Sequence, residues 1–515
     1  MSSTTMNTGG LVGGLVGALA SLSIVILWLF TFHKKFFISL LNTRKVNAYG
    51  VYTDFGEALR NHFWFVLRAK LPGYKMPDRD AVEKEVKETF LAQFLSIDNV
   101  KALPESESQV LVTHSCRSIF YYVIRTLLEE ARERTGQSKI KMALPAVHFG
   151  SFYRLLKGME KSMKCTIEFY EIDLKEDDWT LDQDSIDEKE IATCDLIMCQ
   201  HLFGLPFVQD RLVELGNKYS IPVLEDCVQS GSLYGKYKGD PRSDVVMYSG
   251  GLDKTPQCFG AGLGYFRNTH FGNHLYKKCA AFHLTLAMDT WKARLTSCFN
   301  QLIHLMIAKN SFGMNNLLGL VAYVWISERG DFIKWYALSL KVRKAKAITP
   351  FQHAESGFLR RPTVYQLQSI LHGMTTKKEH YIRVAKRELQ ARDLLLTNIP
   401  KQYHSSLFPW FTKQVLQRHK DNQGIAEFTW VVSPKGDRME LCDFLNNHFV
   451  VTLVNTTWEF DEKTTKLVAK DINNNLIYLP NINQMTDNQI RHTASILTKY
   501  CQSLEGTTTT KTSSS

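Results

Sequence analysis

Two strand-like segments of the sequence end in residues that could carry out chemistry on a ring cofactor. The first ends in Asp226, and the second, Val245–Tyr248, leads into Ser249 and then Lys254. A lysine amine can condense with an aldehyde, and a buried carboxylate can keep a pyridine nitrogen protonated, so that the ring withdraws electrons from a bound substrate. The pattern therefore predicts a pyridoxal phosphate (PLP) site in which Asp226 and Lys254 are the catalytic residues.

The elements that must position these residues alternate between strands and helices. The pattern predicts strands at Val110–Thr113, Lys141–Leu144 and Cys165–Glu171, with helices at Arg117–Arg134 and Ser151–Met159 between them. Such alternation is typical of an α/β fold in which helices cover both faces of a mainly parallel sheet. Because ligands of these folds bind at the carboxyl ends of the strands, Asp226 and Lys254 are expected to lie there.

Several motifs of the chain resemble the DegT/DnrJ/EryC1/StrS family of PLP enzymes. They are Asp195–Pro206, Val223–Gln229, Gly235–Gly239, Ser249–Lys254 and Gly260–Gly262. The family has the fold-type I architecture and consists mostly of sugar aminotransferases. The resemblance implies a homodimer that transfers an amino group, with glutamate as the donor and a nucleotide-linked keto-sugar as the acceptor. Members of the dehydratase type carry histidine in place of Lys254, so transamination is favoured here.

The resemblance also implies which residues bind the cofactor. Ser115 and Cys116 stand in the turn that should hold the phosphate, where the family has glycine and threonine. A helix begins after this turn, and its backbone N–H groups can bind a phosphate whatever the side chains are. Ser249 would supply a second phosphate contact, Phe149 would stack on the pyridine ring, and Gln229 would contact the ring or its oxygen. Lys254 is expected to carry the proton, whereas His201 is expected to shape the floor of the site.

The amino terminus predicts a membrane anchor. Residues 9–32 contain no charged side chain, and Leu15–Phe32 is long and apolar enough to cross a bilayer as a helix. Lys34, Lys35 and other basic residues follow the segment and none precedes it, which places the remainder of the chain in the cytosol. We therefore expect a single-pass membrane protein, in an endomembrane such as the endoplasmic reticulum if the source is eukaryotic. A cleaved signal peptide is the competing interpretation.

Composition is that of a multidomain globular protein. The chain has 515 residues and a net charge of +11, without the motifs of nucleic-acid-binding proteins, so no nucleic-acid partner is expected. Its ten cysteines show no metal-ligand spacing, and reduced thiols and no metal are expected. The predicted organisation is a tail (1–8), an anchor (9–32), a juxtamembrane helical region (33–100), a PLP-binding large domain (101–280), a hydrophobic helical insertion (281–355), a small C-terminal αβ domain (356–505) and a disordered tail (506–515).

Three features leave alternatives open. The insertion at 281–355 could face the membrane and admit a lipid-linked acceptor, or it could be an ordinary core or dimer helix. The anchor is compatible with a PLP enzyme of another reaction type that acts on lipid-related amines. The altered phosphate turn at Ser115 and Cys116 is compatible with a catalytically inactive scaffold that has kept the PLP fold.

Overall fold

The computed structural model describes most of the region from residue 109 onward and one helix before it. The described residues are 75–95, 109–204, 206–230, 237–251, 254, 260–290, 295, 359–376, 378–408, 430–432, 438–448, 453–454, 458–459, 466–479 and 485–512. Within these ranges, no helix has both the length and the hydrophobicity needed to cross a bilayer. The predicted anchor at 9–32 and most of the predicted insertion lie outside the described residues.

A seven-stranded sheet forms the centre of the fold, in the order β1-β8-β7-β6-β5-β2-β4. Its strands are β1 (Val110–Thr113), β2 (Lys139–Pro145), β4 (Thr166–Ile172), β5 (Leu196–Gln200), β6 (Val223–Asp226), β7 (Val245–Ser249) and β8 (Gly262–Phe266). The pairs from β4 to β7 are parallel, and β8 runs antiparallel to both of its neighbours. Most positions of the central strands are buried, as expected for a sheet covered on both faces.

Helices cover both faces of this sheet. They are α1 (Arg79–Thr89), α2 (Cys116–Thr135), α3 (Gly150–Met163), α4 (Glu188–Ile191), α5 (Asp210–Tyr219), α6 (His270–Thr285), α7 (Val364–Thr376), α8 (Lys378–Thr397) and α9 (His404–Leu407). Helices α2, α3 and α6 form one apolar core with the sheet, and α1 and α7 contribute to another. The predicted α/β class with a mainly parallel sheet is confirmed.

The C-terminal part of the chain contains a second, smaller sheet. Its strands are β9 (Trp430–Val432), β10 (Leu453–Val454) and β12 (Leu476–Tyr478), in the order β10-β12-β9, beside α10 (Arg438–Asn447), α11 (Leu467–Asn475) and α12 (Asp487–Thr512). One hydrophobic cluster includes both these helices and strands of the large sheet. The Asp173 carboxylate also accepts a hydrogen bond from the Ala469 backbone, 3.1 Å away, which joins the two parts.

Two predicted boundaries differ from the structure. Helix α12 continues to Thr512, through most of the predicted disordered tail, because adding residues to an existing helix costs far less than starting one. Helix α6 crosses the predicted boundary at residue 280. Beyond it, an isolated bridge pairs Met288, inside the predicted insertion, with Arg361, which follows the insertion.

Candidate active site

The carboxyl ends of three parallel strands bring the candidate residues together. Strands β5, β6 and β7 end at Gln200, Asp226 and Ser249. Gln200 and Asp226 are direct register partners on neighbouring strands. Strand β8 begins at this edge with Gly262, which pairs with both Thr113 of β1 and Ser249. The predicted location of the site is therefore the place where these residues meet.

Asp226 is buried and has two hydrogen-bond donors among the described residues. Its Oδ1 accepts from the Val228 backbone N–H at 3.0 Å, and its Oδ2 accepts from Gln200 Nε2 at 2.8 Å. Burial raises the pKa of this carboxyl above its usual value, while the two hydrogen bonds and the charge of Lys254 oppose the rise. A bound cation or protonated nitrogen would stabilise the ionised form further.

Lys254 lies close to this carboxylate. The lysine is 9% exposed, and its charge acts on both Asp226 and Cys116. Burial, together with the charge of Asp226, raises the pKa of the Cys116 thiol well above its ordinary value, so the thiol is neutral. Three predicted site residues from different elements are thus neighbours in a largely buried space.

The turn between β1 and α2 has the features of a phosphate site. Helix α2 has 20 residues and no acidic residue in its first turn, so the positive end of its dipole faces the turn uncompensated. Ser115 occupies the N-cap position, where a serine side chain normally accepts a hydrogen bond from the helix backbone. Its side chain makes no such bond here. Both the helix end and the Ser115 hydroxyl are therefore available to an anion.

Glycine at position 262 allows this turn to approach the sheet. A Cβ at Gly262 would lie 2.3 Å from the carbonyl carbon of Ser115 and 2.5 Å from the backbone nitrogen of Cys116. No side chain fits at those distances, because both neighbouring atoms belong to backbone. The glycine of the predicted Gly260–Gly262 motif is thus required by the close packing of β8 against the phosphate turn.

Helix α7 is hydrogen-bonded to the same turn. The side-chain amide of Gln366, which is fully buried, donates to the carbonyl oxygens of His114 at 3.1 Å and Gly260 at 2.6 Å. His114 also lies 3.4 Å from the Asp289 carboxylate, which pairs with Arg360 as well. His114 therefore lies against Asp289, near the start of the predicted insertion, and Asp289 in turn pairs with Arg360, which follows the insertion.

Several buried polar atoms around Asp226 lack a partner among the described residues. They are Ser115 Oγ, Gln200 Oε1 and Gln229 Oε1. Buried polar atoms are nearly always hydrogen-bonded in native proteins, so a group of them at one site points to a ligand or to water. A ring with a phosphate and polar substituents fits such a set.

Two other predicted residues are placed less closely. Ser249 is half-buried at the end of β7, and its hydroxyl accepts from the Gly251 backbone at 3.4 Å. Phe149 lies in the short strand β3 (His148–Phe149), which follows β2, and its backbone pairs with Trp458 of β11 (Trp458–Glu459). Stacking of the Phe149 ring on a cofactor remains a prediction.

A second buried carboxylate, Glu225, lies on the opposite face of β6. Its Oε1 accepts from His201 Nε2 at 2.7 Å and from the Tyr237 hydroxyl at 2.6 Å, and its Oε2 accepts from Ser243 Oγ and the Asp240 backbone, each at 2.8 Å. Although burial alone would raise its pKa, these hydrogen bonds, first of all the one from His201, lower it to about 2.

The contacts of His201 define its role. Its Nδ1 accepts from the Phe207 backbone N–H, so Nε2 carries the proton that is donated to Glu225. The rings of Phe207 and Tyr237 lie edge-on against it, each with its centroid 4.9 Å away. His201 is therefore a packed structural residue on the Glu225 side of β6, and its expected role in shaping the floor of the site remains a prediction.

A metal ion is not needed to explain this cluster. His201, Glu225 and Cys227 offer ligand atoms within 4.8 Å of one another. Burial raises the pKa of the Cys227 thiol well above its usual value, and the thiol lies 3.4 Å from Glu225 as a donor. Hydrogen bonds from protonated partners account for the arrangement.

The structure adds Gln200, Gln366 and Glu225 to the residues found from the sequence. Gln200 is a polar residue at the end of the otherwise apolar strand Leu196–Cys199, a signal that is visible in the sequence. Gln366 carries no such signal, because its contacts depend on how α7 packs on a turn some 250 positions earlier.

Comparison with known proteins supports the class that this fold and site define. No protein-family model matches the sequence. A segment of 164 residues is 27% identical to GDP-perosamine synthase of Escherichia coli O157:H7, covering 32% of this chain and 41% of that protein. The match thus spans less than half of the curated relative.

Solved structures share the fold. Sugar aminotransferase CalS13 from Micromonospora echinospora superposes with a TM-score of 0.51 at 12% identity, over 88% of this chain and 99% of that one. A DegT DnrJ EryC1 StrS aminotransferase from Brucella abortus gives 0.50 at 12% identity, over 86% and 96%. The fold is that of these aminotransferases. The curated relative and the fold together support the family that the motifs resemble, DegT/DnrJ/EryC1/StrS.

Proposed function

We propose that the protein is a PLP-dependent aminotransferase that moves an amino group from glutamate to a keto-sugar or related carbonyl acceptor. The observation that carries the proposal is the meeting of Asp226 and Lys254 in a buried space bordered by the start of α2 and by unpartnered polar atoms. The similarity to GDP-perosamine synthase and to sugar aminotransferases agrees with it.

The position of each residue in the site indicates the role that it would have. Bound PLP supplies an aldehyde and an electron-withdrawing ring. The start of α2, Ser115 and Ser249 would hold its phosphate, and Asp226 would accept a hydrogen bond from the ring nitrogen and keep it protonated. Lys254 would provide the amine that binds the aldehyde and, once released, would carry a proton to and from the substrate carbon. Gln229 would satisfy its unpartnered oxygen on the ring or a group attached to it.

The visible absorption spectrum tests this proposal. The purified protein is titrated with PLP beside Lys254→Ala, and glutamate is then added. A band that requires Lys254 and changes with glutamate is expected. The absence of any band at saturating PLP in a folded protein would contradict the proposal and favour an inactive scaffold.

Lys238→Ala is a matched control for this experiment. Burial lowers the pKa of Lys238 to about 8, so its amine is partly neutral at mildly alkaline pH and can react with an aldehyde on its own. The glutamate-sensitive band should survive in Lys238→Ala and disappear in Lys254→Ala. The reverse pattern would show that Lys238, and not Lys254, is the amine that reacts with PLP, and would contradict the proposal.

The acceptor and the assembly belong to the same proposal. A nucleotide-linked sugar acceptor is supported by the similarity to GDP-perosamine synthase, a lipid-linked one only by the predicted anchor, and a homodimer by the family resemblance. Amino transfer to a panel of nucleotide-linked keto-sugars, measured by the loss of glutamate, tests the first. Sedimentation of the purified protein tests the second.

Membrane attachment through residues 9–32 is a further part of the proposal. Its support is the uncharged apolar segment followed by basic residues. The full chain should resist alkaline extraction from membranes, and a charge in the segment, as in Leu27→Arg, should weaken this retention because a charged side chain is costly in the bilayer centre. Complete release of the wild-type chain would refute the anchor.

A further inference from the structure

We propose that Gln200 is a positioning residue of this site: its side-chain amide keeps the Asp226 carboxylate ionised and oriented toward the cofactor ring. The inference rests on the proposed function and extends it to a residue that the sequence motifs left without a role. Strand register, burial and hydrogen-bonding chemistry support it.

Strand register brings the two side chains together. Gln200 and Asp226 are the last residues of neighbouring parallel strands and direct partners across them, so their side chains point to the same side of the sheet. They are 3% and 4% exposed, and Gln200 Nε2 lies 2.8 Å from Asp226 Oδ2. Hydrogen bonds to an ionised group at this distance are among the stronger ones in proteins.

The amide orientation of Gln200 is determined by the carboxylate. An ionised carboxylate can only accept hydrogen bonds, so the NH₂ group of Gln200 must face Asp226. This orientation leaves Gln200 Oε1 buried without a partner among the described residues. The residues before it, Leu196–Cys199, are apolar, and an apolar residue at position 200 would avoid an unpartnered atom. The unpartnered oxygen therefore offsets part of what the hydrogen bond to Asp226 contributes to stability, and such incomplete satisfaction is common at functional sites.

Gln200 is also the contact of Asp226 that can be changed without touching the reacting groups. The other hydrogen bond to this carboxylate comes from the Val228 backbone, and the nearby charge of Lys254 belongs to the proposed reactive amine. Removing the Gln200 amide would leave burial less opposed, so protonation of Asp226 would become easier. A protonated Asp226 would carry no negative charge to stabilise a protonated ring nitrogen.

The test compares PLP binding by the wild-type protein, Gln200→Met and Gln209→Met across pH. Methionine keeps the length of glutamine but has no donor. Gln209 is the matched control, because it is equally buried, donates to Ser243 Oγ at 2.7 Å and also has an unpartnered oxygen. The dissociation constant is read from the quenching of protein fluorescence on titration with PLP.

Gln200→Met should weaken PLP binding on the order of tenfold to a hundredfold, the loss expected for a hydrogen bond to a charged group. On the acid side, its binding should also fail at a higher pH than in the wild-type protein. Gln209→Met should change neither quantity. If Gln200→Met matches Gln209→Met while the wild-type protein binds PLP, the Gln200 inference is overturned and the proposed function stands. If the wild-type protein binds no PLP, both fail.

A second measurement guards against a misfolded variant. In the apoprotein, Gln200→Met should lower the melting temperature in the wild-type background but not in the Asp226→Ala background, where the amide has lost its partner. Equal losses in both backgrounds would show that Gln200 contributes only general packing and would overturn the inference. Gln200→Leu provides another variant without a donor if the methionine variant does not fold.

Discussion

Glu225 and Asp226 are consecutive residues of β6, yet they lie in opposite environments. Alternation along the strand sends their side chains to opposite faces of the sheet. Glu225 accepts hydrogen bonds from His201, Tyr237, Ser243 and the Asp240 backbone, and its pKa is lowered to about 2. Among the described residues, Asp226 has two donors, burial raises its pKa, and oxygen atoms without a partner lie around it.

The difference separates a structural carboxylate from one prepared for a ligand. Both are buried to a similar degree, so burial alone does not distinguish them. What differs is whether the protein itself supplies the hydrogen-bond donors. The hydrogen bonds that the protein donates to Glu225 stabilise the fold. The Asp226 carboxylate can still accept a hydrogen bond, and a protonated ring nitrogen could donate it.

The largest expected effect comes from replacing Glu225 while its hydrogen-bond donors remain in place. Glu225→Gln replaces one carboxylate oxygen with an NH₂ group that must face donors, and we expect a loss of about 3–5 kcal/mol in the free energy of unfolding. Urea unfolding measures it. Because the pKa of Glu225 is depressed from 4.5 to about 2, its stabilising contribution is complete above pH 4.5 and is lost as the pH falls toward 2.

Tyr237→Phe is the graded control for this change. It removes one donor to Glu225 and leaves the others, so the loss should be about 1–3 kcal/mol. A Glu225→Gln protein as stable as Tyr237→Phe would mean that the buried network can rearrange. In that case, the contrast between the two carboxylates would be smaller than the structure indicates.

The next effect concerns the turn between β1 and α2, which packs against Gly262 of β8. Gly262→Ala would put a Cβ 2.3 Å from the Ser115 carbonyl carbon, so the turn must move. We expect a loss of about 1–3 kcal/mol in stability, typical of overpacking, and weaker PLP binding. Gly136→Ala is the control, since that position has a φ of +73° but no atom within 4 Å. It should lower stability without changing PLP binding.

Much of the fold was predictable from the sequence because its signals are local. Strand β1 was predicted with the observed limits, Val110–Thr113, and the helix predicted at Arg117–Arg134 is α2, Cys116–Thr135. The strand is a short apolar run, and the helix has apolar residues along one face. Helix α12 was not foreseen to reach Thr512, since threonine-rich sequence carries no helical pattern and the helix extends from a packed core.

The site was predictable only where its residues stand in recognisable motifs. Asp226 and Lys254 follow apolar strands in a familiar spacing, and the structure brings both to one place. Gln366 was missed because its contact with His114 arises from tertiary packing, which leaves no local pattern. The environment of Glu225 was missed for the same reason, since its donors come from four separate points of the chain.

Asp226→Asn should change stability in the direction opposite to Glu225→Gln. Burial raises the pKa of Asp226, so its ionised form is a burden on the apoprotein at neutral pH. Asparagine is neutral, and its amide could donate to Gln200 Oε1 if the Gln200 amide turned over. We expect the apoprotein to melt about one to three degrees higher at pH 8, and the glutamate-dependent spectral change to be lost.

The pH dependence of this gain distinguishes its cause. A carboxyl with a raised pKa favours the folded state below its ordinary pKa, 3.8 for aspartate, and loses that contribution as the pH rises through the higher folded value. The advantage of Asp226→Asn should therefore shrink as the pH is lowered toward 4. A gain that is independent of pH would come from packing and not from charge.

The smallest expected effect concerns Cys116, which stands where the resembling family has threonine. The thiol is buried and neutral, so it contributes little to anion binding. Cys116→Thr would place a hydroxyl at the start of α2, and PLP should bind roughly threefold to tenfold more tightly, about the value of one additional hydrogen bond. Cys116→Val has the shape of threonine without its hydroxyl, so it should not tighten binding. If both variants bind PLP as the wild-type protein does, the turn holds the phosphate through the α2 backbone and the Ser115 hydroxyl alone. The side chain at position 116 would then contribute nothing to the affinity of the site for PLP.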